Sequence, residues 1–191
     1  MKNVPDSFGL AGNLLIAMPG MGDPRFEKSV VFLCDHSEKG AMGLIVNKPM
    51  TEVRFSDLVE QLGIESHHPL PKMPIHFGGP VESGRGFVLH SNDYGANAST
   101  LRIGARFGMT ATLDIVQDIA TGQGPDQAIF ALGYSGWGPG QLESEIRRNG
   151  WLTCDATDAI VFSPDNAGKW AAALKALGVE ALSLSGASGR A

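Results

Sequence analysis

Apolar residues along this chain gather in short runs that glycine, proline and charged positions interrupt. Leu14-Leu15-Ile16-Ala17-Met18 is closed by Pro19 and Gly20, which predicts a short buried strand. Residues 29–34 and 43–46 predict two more strands, and the turn-rich segment 35–40 between them spaces the pair as a hairpin. Ile75-His76-Phe77 and Phe87-Val88-Leu89-His90 flank Gly78-Gly79-Pro80, and residues 100–103 add another strand. Further strands are predicted over 128–132, 151–153 and 159–162.

Helical spacing enters at four places. Ser56 is placed to cap a helix through Leu58 and Leu62 that stops near Gly63. Thr112 is placed to cap one through Leu113, Val116 and Ile119, with Gly122 and Gly124-Pro125 as stop signals. A third follows Pro139, carries Leu142 and Ile146 on one face, pairs Glu143 with Arg147 outside and stops at Gly150. Ser163-Pro164 reads as a cap that opens a fourth, whose Trp170, Leu174 and Leu177 share one face. Strands crowd the first half and helices interrupt the second without regular alternation. This predicts an α+β fold with a largely antiparallel or mixed sheet and about four helices. One domain is expected over residues 10–183, with 1–9 and 184–191 as flexible termini.

Composition narrows the classes. A chain of 191 residues buries enough apolar surface to fold without metal or disulfide staples. Its 15 basic and 20 acidic residues leave a net charge of −5, and no basic cluster goes beyond Arg147-Arg148. An acidic chain of this kind lacks the electrostatic footprint of a nucleic-acid binder. No apolar h-region opens the sequence and no run is long enough to span a bilayer, so neither export nor a membrane is expected. Cys34 and Cys154 lie far apart in sequence and fit two reduced thiols in the cytoplasm.

Candidate chemistry is sparse. Cys34-Asp35-His36 would place thiol and imidazole on one face of a regular strand, where a histidine can lower a thiol pKa. His90, on a nearby strand, is the third member of this catalytic candidate set. His76 and His90 could converge with Cys34 or His36, but no histidine or cysteine has zinc-ligand spacing, and neither a metal nor a cofactor is expected. The run Gly133-Tyr134-Ser135-Gly136-Trp137-Gly138-Pro139-Gly140 reads as a strand, then a tight turn around a large aromatic, then a helix start. It lacks the lysine and spacing of a phosphate loop. A ligand site is expected where two glycine-rich corners meet: Gly78 and Gly79 with Arg85, and Trp137 with Gln141.

Several of these segments together resemble the YqgE/AlgH family. They are Gly12-Asn13-Leu14-Leu15-Ile16-Ala17-Met18-Pro19, Asp23-Pro24-Arg25-Phe26, Gly40-Ala41-Met42-Gly43-Leu44-Ile45-Val46-Asn47-Lys48-Pro49, Gly78-Gly79-Pro80-Val81, Arg85-Gly86-Phe87-Val88-Leu89-His90 and the glycine-rich run. The resemblance covers nearly the whole chain and implies a bacterial cytosolic protein of the AlgH type, with no catalytic residues to carry across. The family's label as a transcriptional regulator meets no helix-turn-helix with a basic recognition helix here. Two readings follow. The first is a non-enzymatic binding or regulatory protein acting on a protein partner or small ligand. The alternative is a thiol-dependent enzyme or redox-responsive protein that uses Cys34, with His36 or His90 assisting.

Overall fold

The computed structural model describes residues 9–95 and 99–185. Residues 1–8 and 186–191 of the expected flexible termini lie outside the described residues.

In chain order the strands are β1 (Asn13–Ala17), β2 (Val30–Ser37), β3 (Gly40–Ile45), β4 (Pro49–Arg54), β5 (Pro74–Phe77), β6 (Val81–Ser91), β7 (Thr100–Ile103), β8 (Phe107–Thr110), β9 (Ala128–Trp137) and β10 (Trp151–Asp155). The helices are α1 (Phe55–Gln61), α2 (Leu113–Ala120), α3 (Gln141–Arg147), α4 (Asp158–Val161), α5 (Lys169–Ala176) and α6 (Ala181–Ser185). The fold is α+β, as the pattern predicts. One curled sheet runs β10-β1-β2-β3-β9-β6-β8-β7, and β5 adds to β9 with β4 outside it. Every pairing is antiparallel except β5 with β9.

Strand alternation divides the core. Leu14, Ile16 and Phe32 face Trp170, Ala173 and Leu174 of α5, while Leu15, Val31 and Leu33 face Leu142 of α3. A third cluster joins Phe55 and Val59 of α1 to Ile115 and Ile119 of α2 over Ile75, Val88 and Phe130.

β9 organises the sheet by changing partners along its length. Its first half lies between β5 and β6, and its last residues, Ser135 to Trp137, pair with β3. The chain leaving β5 crosses β9 at this switch, where the Gly78 carbonyl accepts from Ile45 N (2.9 Å) and Ser135 Oγ (3.1 Å). A Cβ on Gly79 would lie 2.1 Å from the Tyr134 backbone, and one on Gly133 would lie 2.3 Å from the Gly79 carbonyl. Two backbones in such contact exclude any side chain. The expected tight turn at 133–137 is therefore a continued strand, and its glycines serve this crossing.

Other elements depart from expectation for local reasons. Residues 159–162, expected as a strand, fall instead on α4 and its C-cap Phe162, because Thr157 Oγ1 accepts from Ile160 N (3.4 Å) and caps a helical turn. Ser163 makes a turn by accepting from Asp165 N (3.2 Å), so α5 starts at Lys169 rather than at Pro164. Trp170 and Leu174 face inward, but Leu177 follows the end of α5 and is 40% exposed. Helix α1 begins one residue before Ser56, and Arg54 N is held by the Asp57 carboxylate (3.0 Å). Strands β4 and β8 carry too little alternation to be read beforehand. Helix α6 ends the described chain, with Leu184 packed on the α5 core.

Candidate functional site

The catalytic candidates part company at a β-bulge. Register slips between Leu33 and Asp35 of β2, which inverts the alternation that would place Cys34 and His36 on one face. Cys34 turns into the α5-side core, 3% exposed, with its Sγ near the Phe32 carbonyl (3.9 Å). Burial, helped by the neighbouring Asp35 charge, pushes its thiol far up, so the thiolate a nucleophile needs is suppressed. His36 turns the other way and holds Glu143 of α3 at 2.7 Å through Nε2. Glu143 therefore faces inward rather than pairing with Arg147 on the exposed side. Burial pushes its carboxyl up, but hydrogen bonds from its own amide and from His36 outweigh this and leave it below its ordinary range.

His90 is spent as well. Its Nδ1 donates to the Ser91 carbonyl (2.8 Å), which leaves Nε2 to accept from Thr110 Oγ1 (2.9 Å). Val88, two residues back on the same strand face, packs with α1 and α2, whereas Cys34 packs under α5, so His90 does not meet the thiol. Among the described residues no cluster of three or more His, Cys, Asp or Glu side chains is arranged to hold a metal ion.

The two glycine corners do come together. Gly78 and Gly79 lie against Gly133, Tyr134 and Ser135, and Trp137 continues the same strand. Trp137 is 7% exposed, yet its edge borders a hollow on either side. One is a cleft of about 670 Å³ whose walls include Met18, Phe26, Val81, Trp151 and Gln141. The other, about 570 Å³, contains Phe87, Tyr134 and Arg85. Arg85 lies over Phe87 at 5.1 Å and near Glu82 at 3.4 Å, across the Val81–Gly136 ridge from Gln141. Arg85 and Gln141 thus lie on opposite sides of the ridge.

Glu145 is the residue that sequence reasoning missed. Its Oε2 accepts from both indoles, Trp137 Nε1 at 2.9 Å and Trp151 Nε1 at 2.8 Å, and its Oε1 accepts from Gln141 Nε2 at 3.0 Å. The two indoles meet edge to face at 5.9 Å. Gln141 Oε1 in turn accepts from Gly138 N (3.0 Å), so the amide ahead of α3 is already taken. The available signal was Glu145 lying eight residues after one tryptophan and six before another, which acquires meaning only once β9 and β10 are known to flank α3.

Curled sheet, bifurcating central strand and glycine crossing define a single-domain α+β protein class in which no helix among the described residues is long and apolar enough to cross a membrane. The AlgH-like family model, DUF179, matches residues 14–182, and the chain belongs to that family. A UPF0301 protein of Ruegeria pomeroyi is 60% identical over 95% of this chain and 99% of its own length. One of Paracoccus denitrificans is 55% identical over 97% of this chain and 98% of its own. The solution structure of the AlgH protein from Pseudomonas aeruginosa superposes with a TM-score of 0.77 at 39% identity, covering 100% of this chain and 98% of that one. Protein DIP2367 of Corynebacterium diphtheriae shares the fold, with a TM-score of 0.71 at 21% identity over 87% of this chain and 86% of that one.

Proposed function

We propose that this chain is a non-enzymatic, cytoplasmic binding or regulatory protein that takes a small ligand, or a side chain of a protein partner, into the cleft beside Trp137 and Trp151. One observation carries the reading: the side chains nominated for catalysis are committed inside the fold. Cys34 is buried and its thiolate suppressed, His36 is tied to Glu143, and His90 is tied to Ser91 and Thr110. A general base or nucleophile must reach the atom on which it acts. What the cleft offers instead is aromatic and methionine walls with polar and charged side chains set among them, Asp23, Arg25, Gln141 and Arg148, the makeup of a small-molecule site. Two buried unpaired thiols support a reducing compartment. The acidic charge balance speaks against direct nucleic-acid contact.

The test is a fragment titration followed on the indole N–H resonances. Binders should shift Trp137 and Trp151 together and leave Trp170 in place. Met21→Glu, in the cleft wall, should weaken them by about tenfold or more through unfavourable carboxylate desolvation. Binders that move neither indole would contradict the reading. So would a catalytic turnover that Cys34→Ser abolishes, which would restore the thiol alternative.

A further inference from the structure

A third hollow, of about 800 Å³, opens between β5, the loops around residues 68–74 and 122–128, and the start of α5, and it shares no residue with the indole cleft. Two groups with polar capacity left over line it. Lys169, the first residue of α5, is only 2% exposed. Its Nζ donates to the Val46 and Val161 carbonyls, both at 2.8 Å, and no acidic side chain pairs with it among the described residues. An ammonium has three donors, so one remains after these two carbonyls are served. His76 of β5 is 3% exposed, and its Nε2 meets Asn166 Oδ1 at 3.1 Å. Its Nδ1 is buried without a hydrogen bond. Because Nε2 donates to the Asn166 amide oxygen, Nδ1 of the neutral ring is an acceptor. It turns donor toward an anion only when the ring is protonated, a form that the nearby Phe130 and Pro74 carbonyls favour.

Burying a cation without a counter-charge is unfavourable, and carbonyl dipoles offset only part of that. Consistently, burial pushes Lys169 down to about 8 and pushes His76 down as well, with the nearby ammonium adding to the effect. The other titratable groups around the hollow are His68, Lys72 and Asp126, all exposed at its rim. The inner wall therefore holds a positive charge and no negative one. Pro69, Pro71, Pro74, Pro125 and Pro164 stiffen the surround, so the hollow loses little freedom when filled.

We propose that this hollow is a binding site for a small oxyanion, a carboxylate or a phosphate group, which supplies the charge that Lys169 lacks, with His76 and Asn166 forming the adjoining polar wall. The anion and the proton on Lys169 stabilise one another, so binding of either strengthens the other.

The experiment follows the Lys169 side-chain ¹³Cε and ¹⁵Nζ resonances of the full chain while inorganic phosphate, acetate or chloride is added at equal ionic strength. Phosphate, acetate or both should shift these resonances saturably and raise the Lys169 midpoint, while chloride should not. Response to one oxyanion only assigns the ligand class to that chemistry. Lys169→Met should abolish the saturable effect on the neighbouring His76 ring. Because that variant changes a buried side chain, Asn166→Asp is the second arm. It keeps side-chain shape, places a carboxylate in the same wall, and should weaken oxyanion binding by about tenfold or more while thermal stability holds. Equal shifts with all three salts, or binding unchanged in both variants, would overturn the proposal and leave the indole cleft untouched.

Discussion

The α3 side of the sheet and the α5 side handle buried polarity in opposite ways. On the α3 side each conspicuous polar group has a partner: Glu145 with two indoles and Gln141, and Glu143 with His36. On the α5 side a lysine sits under the surface with two carbonyls and no acid, beside a histidine with an unbonded nitrogen. Full satisfaction makes a rigid corner whose buried polar groups are already paired. Incomplete satisfaction leaves a site that a ligand of the right charge completes. The difference shows that the residues most eye-catching in a sequence can be the ones most fully used by the fold.

Mutations can break the comparison. Trp170→Ala carries the largest expected effect, because the indole fills the α5-side core and its Nε1 donates to the Ala17 carbonyl at 2.9 Å. It should cost about 3–5 kcal/mol in chemical denaturation, and Leu174→Ala about 2–5 kcal/mol. An unchanged curve would mean that α5 is not anchored by this face. Glu145→Ala tests the satisfied corner. It leaves two buried indole N–H groups without an acceptor and should cost about 2–5 kcal/mol, whereas Glu145→Gln, which keeps one acceptor oxygen, should cost about 1–2 kcal/mol. Equal costs for the two would remove the carboxylate from the explanation.

The unsatisfied side should show itself through pH. Lys169 is lowered from 10.5 to about 8 by burial, so the folded state gives up its proton before the unfolded chain does. Between those values the unfolded state binds more protons, and stability therefore rises with pH. The penalty stands in full below about pH 8 and is relieved toward the unfolded value, by up to about 3 kcal/mol at 1.36 kcal/mol per unit. Lys169→Met should flatten this rise relative to the parent chain in denaturation series across that range. A slope identical in both would contradict it.

The smallest expected effect concerns the thiols. β1 lies between β2 and β10, with Cys154 opposite Leu14 and Leu14 opposite Phe32. Cys34, two residues further along β2, therefore lies more than two strand spacings away, over roughly 9–10 Å, beyond disulfide reach. Alkylation without reductant should modify both, and only after denaturation. A mass short by the two hydrogens of a disulfide would refute this.

Much of the fold was legible. Apolar runs marked β1, β2, β3, β9 and β10, and their caps and stop signals marked α2 and α3. The site was legible only in part, because its logic is non-local. Cys34 and His36 look like neighbours on a face until a bulge, which no residue between them announces, turns one away from the other. Gly79 and Gly133 look like turn residues until two strands are seen to cross. Lys169 in Gly168-Lys169-Trp170 reads as an ordinary solvated helix residue, since lysine is seldom buried. Only the packing of α4 and the end of β3 above it encloses its ammonium.

The contrast between the two sides reduces to one side-chain titration. The Lys169 ¹⁵Nζ resonance, followed against pH in the ligand-free chain, should have its midpoint near 8, with the Trp137 and Trp151 indole N–H signals unmoved over the same range. A midpoint at the ordinary lysine value of 10.5 would mean that the ammonium is solvated or already neutralised. The α5 hollow would then have no charge for an oxyanion to complete.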